Sequence, residues 1–105
     1  MDMVVAIYST TSNVEDAKKI ARVLVKEKLV ACVNIIPKIE SIYRWKNKIE
    51  EDNECVIIAK TTDKNIDKTI KKIKEVHTYE VPDIIVLPII NGLDEYLNYI
   101  KDETI

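Results

Sequence analysis

Two stretches of this chain repeat apolar residues at helical spacing, and the remainder alternates or runs continuously apolar. Val14, Ala17, Ile20, Ala21 and Leu24 fall on one helical face, while Lys18, Lys19, Arg22 and Lys26 fall mostly on the solvent side. Ile66, Ile70 and Ile73 form a second stripe among many lysines. One-sided helices need a broad apolar surface to lie on, and the intervening runs supply it as a sheet. "MVVAIYS" (3–9) is a β-branched run suited to a buried central strand. Residues 31–45, "CVIIAK" (55–60) and "DIIVLPI" (83–89) read as three more strands. The order β-α-β-β-α-β plus a terminal helix predicts an α+β fold of the ferredoxin-like, split βαβ kind. Its 105 residues form one domain, 1–105, with two helices on one face of an antiparallel sheet.

Local signals place the boundaries. "SNVE" reads as a capping box, with Ser12 as N-cap and Glu15 reaching back, for a helix running to about Lys28. Pro37 cannot donate within a ladder, so a bulge or bend is expected there. Asn47, in "WKNKIE", is the residue best able after glycine to turn the chain through a left-handed conformation. Thr62 or Asp63 caps the second helix, which finishes near His77 because Val81 precedes Pro82. Asn91 is expected to cap the last helix, with Leu93, Tyr96, Leu97 and Ile100 on one face.

Composition excludes several functions. The net charge is −2 with lysines and acids interspersed, so there is no basic stripe for nucleic acid. The longest apolar stretch, "VPDIIVLPII", is short and interrupted, so no membrane span is expected. "MDMVVAIYS" has no basic n-region of a signal peptide, which makes the cytoplasm the expected compartment. Cys32 and Cys55 belong to no CxxC pair and read as reduced thiols. No Gly-rich phosphate loop, nucleophile motif or HExxH is present, so an enzyme is not expected. One glycine, no Phe, no Gln and abundant Ile, Lys and Glu suit a thermostable protein, and equally an A+T-rich genome.

Helices on one sheet face leave the other to meet water or another subunit. The long hairpin around Asn47 carries Ile39, Ile42, Tyr43, Trp45 and Ile49 near its tip, more apolar surface than one small domain buries. A closed symmetric ring would cover it without open-ended growth. "HTYEVPDI" (77–84) holds the only histidine. His77 either ligates a metal, as imidazole suits copper and zinc, or closes the second helix in its C-terminal dipole. Lys60, at the end of an apolar strand, must find an acid such as Glu80 or reach solvent.

"ACVNIIP" (31–37), "YRWKNKIE" (43–50), "AKTT" (59–62) and "HTYEVPDI" together resemble the signature blocks of the CutA family of divalent-cation tolerance proteins. The resemblance covers essentially the whole chain. It implies a cytoplasmic homotrimer similar in architecture to the PII signalling proteins, and a link to tolerance of copper and other divalent metals. It implies no obligatory cofactor beyond such a metal. Carried over residue by residue, Trp45, Lys60, Tyr79 and Glu80 line a cleft between subunits, with His77 and Cys32 as metal ligands and Lys60 close to the His77 group. Asn47 replaces a common turn glycine, Thr78 replaces a proline after the histidine, and Ser9 stands where some bacterial relatives have a cysteine. The alternative is a trimeric scaffold or PII-like sensor of small anions, with Lys60, His77 and Tyr79 as the anion site and metal binding incidental.

Overall fold

The computed structural model describes residues 2–105. Its elements are β1 (Val4–Thr11), α1 (Val14–Lys26), β2 (Cys32–Trp45), β3 (Lys48–Thr62), a 3-10 turn (Asp63–Asn65), α2 (Ile66–Val76), β4 (Ile84–Pro88) and α3 (Asp94–Asp102). They form a small α+β fold around a four-stranded antiparallel sheet in the order β2-β3-β1-β4. Odd-numbered side chains of β1 and β3 meet the helices. Ile7, Ile57 and Ala59 are fully buried against Ala17, Ile20, Leu24 and Ile73. Each large aliphatic side chain so buried contributes about 1.5–3 kcal/mol. No helix among the described residues is long and apolar enough to cross a membrane.

The ends of α1 show both what sequence reading catches and what it misses. Asn13, not Ser12, is the N-cap: its Oδ1 accepts from Asp16 N at 2.8 Å, and Ser12 instead donates to the Asp16 carboxylate. At the other end Lys28 adopts φ 59°, where its amide donates to Val25 O and that of Leu29 to Leu24 O. This is the Schellman pattern, in which glycine normally holds the left-handed position. Leu29 and Leu24, the two residues it links, both enter the core. Neither Thr62 nor Asp63 caps by its side chain, since Asp63 Oδ1 accepts from Met3 N instead. Asn91 likewise binds only Gly92 N, and Leu93 occupies the N-cap of α3.

β2 and β3 form the long hairpin. Lys46 and Asn47 take φ 49° and 66°, a two-residue turn between the paired Trp45 and Lys48. The expected irregularity at Pro37 is a bulge: Ile36 faces Val56, yet Ile39 faces Glu54. The Cys55 thiol donates to Pro37 O at 2.9 Å. One extra residue in β2 exchanges the faces of everything beyond it. Ser41, Tyr43 and Trp45 thereby join the face that carries Glu54, turned away from α1 and α2. On that second face α3 packs Ile100 and Leu97 over Val4 and Ala31. The remainder is open, with Ile36, Ile85 and Leu87 exposed at 43%, 53% and 45%.

Candidate functional site

A cleft of about 500 Å³ lies where the hairpin, the sheet and the α2–β4 connection meet. Trp45 and Tyr43 enter from the hairpin, Tyr8 and Glu54 from the sheet, and Tyr79 and Glu80 from the connection. The connection is fixed by hydrogen bonds. α2 stops at Val76, and His77 turns to extended backbone with ψ 146° while its amide still donates to Ile73 O. Tyr79 N donates to His77 Nδ1 at 3.1 Å, so Nδ1 is the acceptor and Nε2 carries the proton. Nε2 donates to Thr10 O at 2.7 Å. Further along, Asp83 Oδ1 accepts from both Thr10 N (3.1 Å) and Thr10 Oγ1 (2.7 Å). The connection is thus clamped to the end of β1 at both of its ends.

Two tyrosine–carboxylate pairs shape the walls. Tyr79 donates to Glu54 Oε2 at 2.5 Å, with its ring tilted on His77 at a centroid separation of 4.6 Å. Burial, then the bond to Glu54, pushes the Tyr79 phenol well above its ordinary value. Tyr43 donates to Asp52 Oδ2 at 2.5 Å, and that bond leads the causes that raise its phenol to about 12. Both hydroxyls stay protonated at neutral pH, so the negative charge here belongs to the carboxylates. Glu80 lies 3.7 Å from the Lys46 ammonium, which also sits 5.6 Å from the centre of the Trp45 ring.

The structure brings Trp45, Tyr79 and Glu80 together, but not Lys60 or Cys32. Cys32 pairs with Lys60, and Lys60 with Ala6, four residues along β1 from the Thr10 that holds His77. That is about 13 Å at the usual strand rise. Lys60 donates to Tyr96 OH of α3 at 3.1 Å, which raises its pKa against the opposing effect of burial. Cys32 Sγ lies 3.4 Å from the same hydroxyl. Hence Lys60, His77 and Tyr79 do not form an anion site within the chain, and Glu80 is not the partner of Lys60. Among the described residues, no three His, Cys, Asp or Glu side chains gather closely enough to hold a metal ion.

Sequence reasoning missed Tyr8, Tyr43, Glu54 and Asp83 as site residues. The signal was present for Glu54, which shares β3 parity with Lys60. For Tyr43 it depended on counting one residue through the bulge.

A model of the CutA1 divalent ion tolerance protein family matches residues 5–103. The chain belongs to that family. It is 43% identical over 104 residues to the divalent-cation tolerance protein CutA of Thermus thermophilus, covering 99% of each chain. It is 42% identical to the chloroplastic protein CutA of Arabidopsis thaliana over 95% of its own length, although it spans only 55% of that relative. Among solved structures, the divalent cation tolerance protein of Thermus thermophilus superposes with a TM-score of 0.94 at 41% identity, over 97% of this chain and 99% of that one. The structure of the periplasmic divalent cation tolerance protein CutA from Archaeoglobus fulgidus gives 0.93 at 38% identity, over 96% of this chain and 98% of that one. Divalent-cation tolerance is therefore the family's named role, under names that include chloroplast and periplasm as well.

Proposed function

We propose that this CutA-family chain is a non-catalytic, cytoplasmic homotrimer that serves divalent-cation tolerance by binding copper weakly at clefts between its subunits. The observation that carries the reading is the orientation of His77. Its Nε2–H is anchored on a backbone carbonyl, as metal-ligating histidines commonly are, and its Nδ1 lone pair faces only the Tyr79 amide. A metal at Nδ1 displaces that single amide. With no second soft donor within reach in one chain, Cys32 takes part only if another subunit presents it. Both features make the binding weak to moderate rather than tight.

The trimer is supported by the uncovered apolar patch of Ile36, Ile85 and Leu87 beside a cleft open on one side. The ferredoxin-like reading is supported by the strand order β2-β3-β1-β4, and the reducing compartment by two free thiols. Copper(II) titrated into the intact protein, with mass followed by light scattering, tests the proposal. Expected are a trimeric mass and saturable binding that falls with pH, since only neutral imidazole coordinates. Binding should weaken in His77→Ala and, if Cys32 is presented across an interface, in Cys32→Ser. A stable monomer, or a copper isotherm unchanged by His77→Ala, would refute it.

A further inference from the structure

The chain has one glycine, and an asparagine precedes it: Asn91–Gly92, in the irregular segment between β4 and α3. We infer that this pair is a self-modification site, where the folded protein slowly converts Asn91 to isoaspartate and thereby loosens α3. The chemistry is an intramolecular substitution. The Gly92 amide nitrogen, giving up its proton to base, attacks Asn91 Cγ. The N–Cγ bond forms, the Cγ–Nδ2 bond breaks, and Nδ2 takes up a proton and leaves as ammonia. Water then opens the resulting succinimide. Opening at the former side-chain carbonyl gives aspartate, and opening at the former main-chain carbonyl gives isoaspartate, with one extra methylene in the backbone. No step depends on metal binding.

Gly92 N donates to Asn91 Oδ1 at 2.8 Å, so the nucleophile and the side-chain carbonyl already stand side by side. The pair belongs to no strand or helix. Gly92 has no side chain to hinder the attack, and packing favours it there, since a Cβ would stand 3.2 Å from Leu97 Cδ2. Every other asparagine precedes a larger residue. Asn13 Oδ1 is held as the cap of α1, and the buried Asn65 amide donates to Ile105 O. Asn34 and Asn53 lie within β2 and β3, and Asn98 within α3. Asn47, in the hairpin turn before Lys48, is the nearest rival. The consequence of conversion falls on α3. Gly92 lies against Leu97, which packs with Ile100 over Val4 and Ala31. Tyr96 of the same helix accepts from Lys60. A lengthened backbone at residue 91 displaces the contact with Leu97, and a close-packed interior transmits such a shift rather than absorbing it.

The test holds the intact assembled protein in mildly alkaline buffer below its unfolding temperature, beside a urea-unfolded sample, and follows proteolytic peptides by mass spectrometry. In the folded protein, conversion at Asn91 should be about tenfold faster than at Asn47, and no slower than at Asn91 of the unfolded chain. Amide exchange over α3 (Asp94–Asp102) should quicken as the wild type ages. It should stay constant in Asn91→Gln, whose longer side chain closes the corresponding ring far more slowly. Conversion at Asn91 that only matches Asn47 would overturn the inference. So would conversion that proceeds in urea but stalls in the folded protein, because a rigid backbone or a covering subunit would then block the attack. Unchanged exchange over α3 in fully converted wild type would overturn the link to that helix.

Discussion

Removing one oxygen from Tyr79 measures how firmly the cleft is held. Tyr79→Phe keeps the ring on His77 and deletes only the hydroxyl that meets Glu54. A hydrogen bond to a charged acceptor is worth about 1.5–3 kcal/mol. The pair is only part-buried, so screening lowers this figure, and the released carboxylate can be rehydrated. We expect a loss of about 1 kcal/mol in urea unfolding at neutral pH and fixed protein concentration. A double-mutant cycle with Glu54→Ala, which removes the acceptor, should return a coupling of the same size.

The alkaline limb provides a second, independent readout. Because folding raises the Tyr79 and Tyr43 phenols, stability is fully present below the unfolded tyrosine value of about 10 and is lost as pH rises above it. Tyr79→Phe should make that decline shallower. An unchanged urea midpoint together with an unchanged alkaline slope would show that the Tyr79–Glu54 bond does not hold the cleft.

Asp83→Ala removes the acceptor of both Thr10 bonds and should cost about 2 kcal/mol, with faster amide exchange over residues 77–83 as the local signature. Lys28→Gly relieves a left-handed lysine that already closes a Schellman pattern, and should raise stability by about 1 kcal/mol in the same urea assay. Ile57→Ala opens a cavity between the sheet and the helices and should cost about 2–5 kcal/mol by thermal or urea unfolding.

Periodicity made both amphipathic helices legible, because a stripe at 3.6 spacing has one solution once a sheet is available. Pro37 and Asn47 were legible for a different reason, since each restricts its own backbone. Caps were less so. Ser12 and Asn13 are adjacent residues of equal capping ability, and only the three-dimensional exit of β1 selects Asn13. The site was half visible. Trp45, Tyr79 and Glu80 do converge, but Lys60 and Cys32 were grouped with His77 although strand register places them at the other end of the sheet. Register is a property of paired strands, and no single strand states it. Glu54 escaped notice among the acids of "EEDNEC" for the same reason.

The bulge at Pro37 gives the hairpin something like a reading frame of two. Beyond it, the choice of which letters are displayed to the cleft hangs on the parity of the count. Were β2 instead to pair straight through Pro37 with no residue bulged out, Ile42 and Arg44 would stand where Tyr43 and Trp45 now stand. A wall of aromatic rings would become an aliphatic chain and a guanidinium, and a cleft lined by carboxylates would acquire a cation of its own. One unpaired residue at a distance from the cleft thus decides whether its wall is aromatic or cationic.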